Sequence, residues 1–97
     1  MPYIKFDVKE DFKSVVTKLR TSSMRNPGEL NYLITELCLA YLSPEIGPVS
    51  YQDYNDIVGA LESAKLEFYR RSVVPFEDQK ILQNGDVYPT TKSSIKE

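Results

Sequence analysis

The residues best suited to chemistry lie between positions 31 and 71 and combine aromatic, amide, carboxylate and cationic groups. Guanidinium groups bind phosphate in a bidentate geometry, aromatic rings stack on bases, and amides both donate and accept hydrogen bonds. We interpret the set as a candidate site for an anionic, nucleotide-derived ligand. Its members are Asn31, Tyr32, Tyr54, Asn55, Glu62, Lys65, Tyr69, Arg70 and Arg71.

The same residues have a plainer interpretation. Glu67 precedes Arg71 by four positions and Glu62 precedes Lys65 by three, and both spacings favour ion pairs along a helix. A tyrosine is more often a partly buried packing residue with its hydroxyl in water than a stacking platform. Solvated charges and packed rings are therefore the commoner outcome for these residue types.

Catalytic equipment is sparse. The chain has no histidine and a single cysteine, Cys38, so one copy cannot assemble a Cys/His zinc site or a Ser-His-Asp or Cys-His arrangement. A carboxylate-only magnesium site is a minor alternative. We expect no enzymatic activity, no metal and no cofactor. An enzyme that uses Glu62, Lys65 and Tyr69 as acid-base groups is the weakest hypothesis.

Size and charge limit the class of protein. A length of 97 residues fits one domain, and a net charge of -2 argues against duplex nucleic acid as a partner. No apolar run approaches the ~20 residues that span a bilayer, and the first residues lack a signal-peptide pattern. A lone cysteine fits a reducing compartment. We expect a cytoplasmic protein with no membrane partner.

Helical periodicity predicts an all-α fold with three main helices and a short helix after Pro75. Asp7 is the expected cap of the first helix, at about 8–21. Asn26 with Pro27, and Ser50, are expected to start the next two. The chain should break or kink at Pro75, and the short helix should end at positions 84–85. We therefore expect a single domain over residues 1–88 and a flexible tail over residues 89–97.

The third helix carries two part-apolar faces. The expected core face holds Tyr54, Ile57, Val58, Leu61, Ala64 and Phe68. On the other face Gly59 lies in the middle of the helix, where glycine costs ~1 kcal/mol relative to alanine and permits close approach of another backbone. We predict that this face forms a homo-oligomer interface from Asn55, Gly59, Glu62, Leu66, Tyr69 and Val73.

Five short motifs carry a resemblance: MPYIK at 1–5, GELNY at 28–32, GALE at 59–62, KLEFYRR at 65–71 and NGDVY at 84–88. They resemble a family of short proteins from bacteriophages and bacteria that is catalogued as a domain of unknown function. The resemblance implies a phage-type protein acting in the host cytoplasm.

Small homo-oligomeric sponge proteins of phages sequester nucleotide immune signals. This chain is similar to them in size, helicity and composition, which is an analogy and not homology. The leading hypothesis is such an anti-defence sponge for a nucleotide-derived signal. The alternative is a protein-interaction or structural module that binds a host or phage protein.

Overall fold

A computed structural model describes residues 2–89, which form helices and no strand. The all-α prediction is therefore confirmed. The helices are α1 (Phe6–Asp11), α2 (Lys13–Thr21), α3 (Pro27–Leu42), α4 (Tyr51–Phe68) and α5 (Val74–Asn84), with a π-helical turn, Tyr69–Val73, between the last two. Intrachain contacts divide the chain into two units, Met1–Ser63 and Ala64–Glu97. Apart from residue 89, the predicted tail lies outside the described residues, and the single domain stays a prediction.

The first expected helix is two short helices. It begins at Phe6 and not after Asp7, whose Oδ1 atom accepts a hydrogen bond from the Val8 amide at 2.9 Å within the first turn. The predicted cap at Asp7 was thus wrong, because Lys5 precedes the helix in an extended conformation. Phe12, at φ -107° and ψ 9°, separates α1 from α2. Residues 2–26, which contain both helices, are called the arm below.

Capping chemistry starts α3 and α4 as predicted. Asn26 Oδ1 accepts from the Glu29 amide at 3.0 Å, and Pro27 occupies the first turn. Ser50 Oγ accepts from the Asp53 amide at 3.3 Å, while Asp53 Oδ2 accepts from the Ser50 amide at 2.9 Å. These bonds satisfy amide donors that have no partner inside a helix. Residues 27–63, which hold α3 and most of α4, are called the acidic segment.

Pro75 does not interrupt the helix of the second unit. α4 continues through the π turn into α5, where Pro75 is the second residue. Proline lacks an amide hydrogen, and its ring clashes with the carbonyl four residues back. The Val74 amide instead bonds to the Tyr69 carbonyl, five residues back. The wider turn thus keeps the helix continuous. The predicted helix after Pro75 exists as α5, and it ends at Gly85, with φ +92°, as expected.

No residue between 2 and 89 is buried. On the expected core face of α4, only Ile57 in the first unit is half-buried, while Val58 is 66% exposed and Tyr54 53% exposed. On α3, Leu37 and Leu39 are more than half exposed. The prediction that this face of α4 is a core is therefore not met within a single copy, because nothing in the first unit covers it.

We expect Asn26→Ala to lower the free energy of unfolding by about 1 kcal/mol, because it removes the acceptor of the Glu29 amide. Urea denaturation followed by circular dichroism measures this change. Asn31→Ala, in the second turn of the same helix, is the matched control and should be neutral or slightly stabilising. Equal losses for the two variants would contradict the capping role.

Candidate functional site

The nine predicted ligand-binding residues are divided between the two units, so neither unit assembles all of them. Asn31 and Tyr32 lie side by side in α3. Tyr54, Asn55 and Glu62 lie on the part of α4 that belongs to the first unit, and Lys65, Tyr69, Arg70 and Arg71 lie in the second unit. Asn31 with Tyr32, and Arg70 with Arg71, are neighbours in the sequence, but side chains one position apart on a helix do not face each other.

Arg70 is engaged by a neighbouring carboxylate. Its Nη2 atom lies 2.7 Å from Glu67 Oε2, and its Nε atom donates to Glu67 Oε1 at 3.2 Å. This bidentate pair joins positions three apart, and the Glu67 side chain is the more buried of the two. Exposed pairs contribute about 0.2–1 kcal/mol. An anionic ligand at Arg70 would therefore compete with Glu67.

Tyr32 lines an open cavity of about 470 Å³ where α2 ends and α3 begins. The carboxylate of Glu36, one turn further along α3, raises the pKa of Tyr32 through hydrogen bonding and through its negative charge. The cavity combines hydroxyl, amide and apolar walls. It is lined by Ser22, Ser23, Met24, Asn26, Gly28, Glu29, Tyr32 and Leu33.

A hydrogen-bond network on Asp56 links α3 to α4. Tyr41 Oη donates to Asp56 Oδ2 at 3.0 Å, and Gln52 Nε2 donates to Asp56 Oδ1 at 2.8 Å. The hydrogen bond from Tyr41, and then the charge of Asp56, raise the pKa of Tyr41. Sequence reasoning missed this network. The four-residue spacing of Gln52 and Asp56 predicts their hydrogen bond within α4. Tyr41 lies fifteen residues from Asp56, and no spacing in the sequence predicts that bond.

The arm carries a second open groove, of about 640 Å³, that sequence reasoning also missed. Its walls join apolar side chains to cations that recur at helical spacing, which is the signal available in the sequence. The lining residues are Ile4, Phe6, Lys9, Glu10, Phe12, Lys13, Val16, Thr17 and Arg20.

Charge is divided sharply within the first unit. The arm has six basic side chains and three acidic ones, a net charge of +3. The acidic segment has six acidic side chains and no basic one, a net charge of -6. The six are Glu29, Glu36, Glu45, Asp53, Asp56 and Glu62. An anion would therefore be repelled from the surface on which Tyr32, Tyr54 and Asn55 lie.

The predicted oligomer interface stays a prediction, and the structure changes its geometry. No atom lies within 4 Å of a β-carbon placed on Gly59, so a single copy makes no close approach there. Leu66 is 57% exposed. Tyr69 and Val73 lie in the π turn, where each turn holds an extra residue. They therefore do not follow the regular spacing that grouped them with Asn55 and Glu62.

Residues 2–89 contain no group of three or more His, Cys, Asp or Glu side chains that is placed to hold a metal ion. None of the described helices is both long and apolar enough to cross a bilayer.

A family model described as a domain of unknown function (DUF6899) matches residues 1–87. The chain belongs to this family. The match covers all the described helices, in agreement with the resemblance seen in the sequence motifs. No curated protein and no solved structure matches the chain. The function is therefore argued from the residues themselves.

We expect Tyr32 and Tyr41 to ionise above the ordinary pKa of a tyrosine, because the neighbouring carboxylates raise the pKa of each. Since the folded pKa is raised, each contributes stability that is present below the unfolded pKa of about 10 and is lost as the pH rises through the folded pKa. Tyrosinate absorbance should show Asp56→Asn lowering the pKa of Tyr41, and Glu36→Gln lowering that of Tyr32. Tyr41→Phe and Tyr32→Phe assign each transition. A pKa of Tyr41 that is insensitive to Asp56→Asn would contradict the bond.

Proposed function

We propose that the protein is a non-enzymatic interaction module that assembles with further copies of itself and, once assembled, binds a host or phage protein. The observation that carries the proposal is the absence of any buried residue between positions 2 and 89. Large apolar side chains on α3 and α4 face solvent instead, among them Leu30, Leu37, Val58 and Leu61.

Energetics favour a partner over an isolated copy. Complete burial of a Leu or Val side chain contributes roughly 1.5–3 kcal/mol, and the net stability of a domain is about 5–15 kcal/mol. The four side chains named above are about half exposed, so they forgo roughly 3–6 kcal/mol in one copy, an amount that reaches the lower end of this stability range. A second copy supplies the missing cover without any new gene product, and closed homo-oligomers are common.

A polar substitution on the exposed apolar face of α4 should weaken assembly. We expect the natural protein to show a mass that is a multiple of 11.1 kDa by size-exclusion chromatography with light scattering. Val58→Ser should shift this equilibrium toward the single copy, because it removes apolar area from the contact. Val87→Ser is the matched control, since Val87 is 92% exposed and follows α5. A single-copy mass combined with cooperative unfolding would overturn the proposal.

A second candidate is the anti-defence sponge for an anionic nucleotide-derived signal, acting in the cytoplasm. The cavity at Tyr32 supports it, because an aromatic ring there stands beside hydroxyl and amide groups. Within the first unit, Tyr54 would offer a further ring, and Asn31 and Asn55 would read polar edges. The acidic segment supplies no positive charge. The predicted ligand residues Lys65, Tyr69, Arg70 and Arg71 belong to the second unit.

Calorimetry against cyclic dinucleotides and ADP-ribose derivatives tests the sponge. A sponge should bind one of them with a dissociation constant of about a micromolar or lower. Tyr32→Ala should weaken binding about tenfold or more, because base stacking on an aromatic side chain contributes about 1–3 kcal/mol. Tyr51→Ala, another exposed tyrosine, is the control and should bind normally. No heat with any ligand at tens of micromolar protein would rule out this candidate, leaving the interaction module intact.

A further inference from the structure

The arm presents an apolar groove with a basic rim. Phe6, Phe12 and Val16 supply apolar surface, and each is 42% exposed or more. Lys9, Lys13 and Arg20 line the same groove, together with one carboxylate, Glu10, whose Oε1 atom lies 4.0 Å from Lys13 Nζ. A surface of this kind fits an apolar helix that carries carboxylates, because the hydrophobic contact supplies affinity and the charges select the partner and its register.

The acidic segment has the complementary character. Its two helices expose apolar side chains, and its six carboxylates have no lysine or arginine among them. At the junction with the arm, Arg25 Nη2 lies 3.7 Å from Glu29 Oε2. The acidic segment itself contains no basic side chain, so a basic partner surface would lower its electrostatic self-repulsion.

The arm does not cover the acidic segment of its own chain. Among the described elements, α1 packs against α2, and neither packs against α3 or α4. Both surfaces of the first unit are thus left open in one copy, with opposite charge and with apolar side chains of similar kind.

We propose that the arm of one copy docks on the acidic segment of a second copy. The inference rests on the proposed self-association and specifies which surfaces meet. In a two-fold symmetric dimer each arm lies on the partner's acidic segment, so the contact forms twice. Carboxylates and cations then face one another across an apolar contact.

Paired charge reversals test the docking. The arm variant is Lys9→Glu/Lys13→Glu. The segment variant is Glu45→Lys/Glu62→Lys. It leaves in place the carboxylates of Glu29, Asp53 and Asp56, which accept hydrogen bonds from the Arg25 amide, the Ser50 amide and the Tyr41 hydroxyl. It also leaves Glu36, which raises the pKa of Tyr32. The arm of the arm variant has a net charge of -1 against -6 on the acidic segment, so like charges face each other in both contacts. In the segment variant the net charges are +3 and -2, so the attraction is reduced. We expect self-association to weaken about tenfold in the arm variant and by less in the segment variant.

An equimolar mixture of the two variants should form heterodimers. In one contact the variant arm, with a net charge of -1, then meets the variant segment, with a net charge of -2. The second contact pairs the natural arm with the natural segment, +3 against -6, and this attraction exceeds the repulsion in the first contact. Different affinity tags on the variants allow light scattering and co-purification to count each species. Glu77→Lys/Asp78→Lys in α5 changes the charge as much as the segment variant and should associate normally. Circular dichroism checks that every variant is helical.

Three other results would overturn the docking and are separable. If the natural protein and both variants associate equally, self-association is retained and the contact lies on other surfaces of the chain. Variants that lose association without rescue in the mixture show that the charges do not meet across copies. A natural protein that stays a single copy over the whole concentration range removes the proposed self-association itself.

Discussion

Apolar side chains that point to several sides of a helix need several neighbouring surfaces, and a short chain can provide few. α3 and α4 both have this character, and none of residues 2–89 is buried within one copy. A second surface that covers the first unit would explain three of its features. These are the separate arm, the exposed faces of α3 and α4, and the split of charge between the arm and the acidic segment. Removal of apolar area from water is the interaction on which the proposed assembly depends.

Local signals made much of the fold predictable. The starts of α3 and α4 follow from Asn26 and Ser50, because each capping bond is completed within three residues of chain. The end of α5 follows from Gly85, whose positive φ suits a residue without a side chain. Asp7 has the same sequence signature as these caps, yet the helix begins before it. A capping motif therefore fixes a helix start only when no earlier residue adopts the helical conformation.

Features that depend on distant residues were not predictable. The Tyr41–Asp56 hydrogen bond joins two helices, and no spacing of residues in the sequence predicts it. The proline rule predicts a break or kink at Pro75. It does not predict the π turn, which keeps α4 and α5 continuous. The candidate ligand residues were chosen from a regular helical projection. The structure divides them between two units, and it places an open groove of about 640 Å³ on the arm, where no candidate residue had been assigned.

The lack of basic residues in the acidic segment has a practical consequence for proteolysis. Trypsin cleaves after lysine and arginine, and the chain offers it no site between Arg25 and Lys65. The arm offers six sites, all on exposed side chains. Limited tryptic digestion therefore reports on whether the arm is covered while leaving α3 and the first unit's part of α4 in one fragment. That fragment carries Cys38, a single thiol by which it can be labelled and followed.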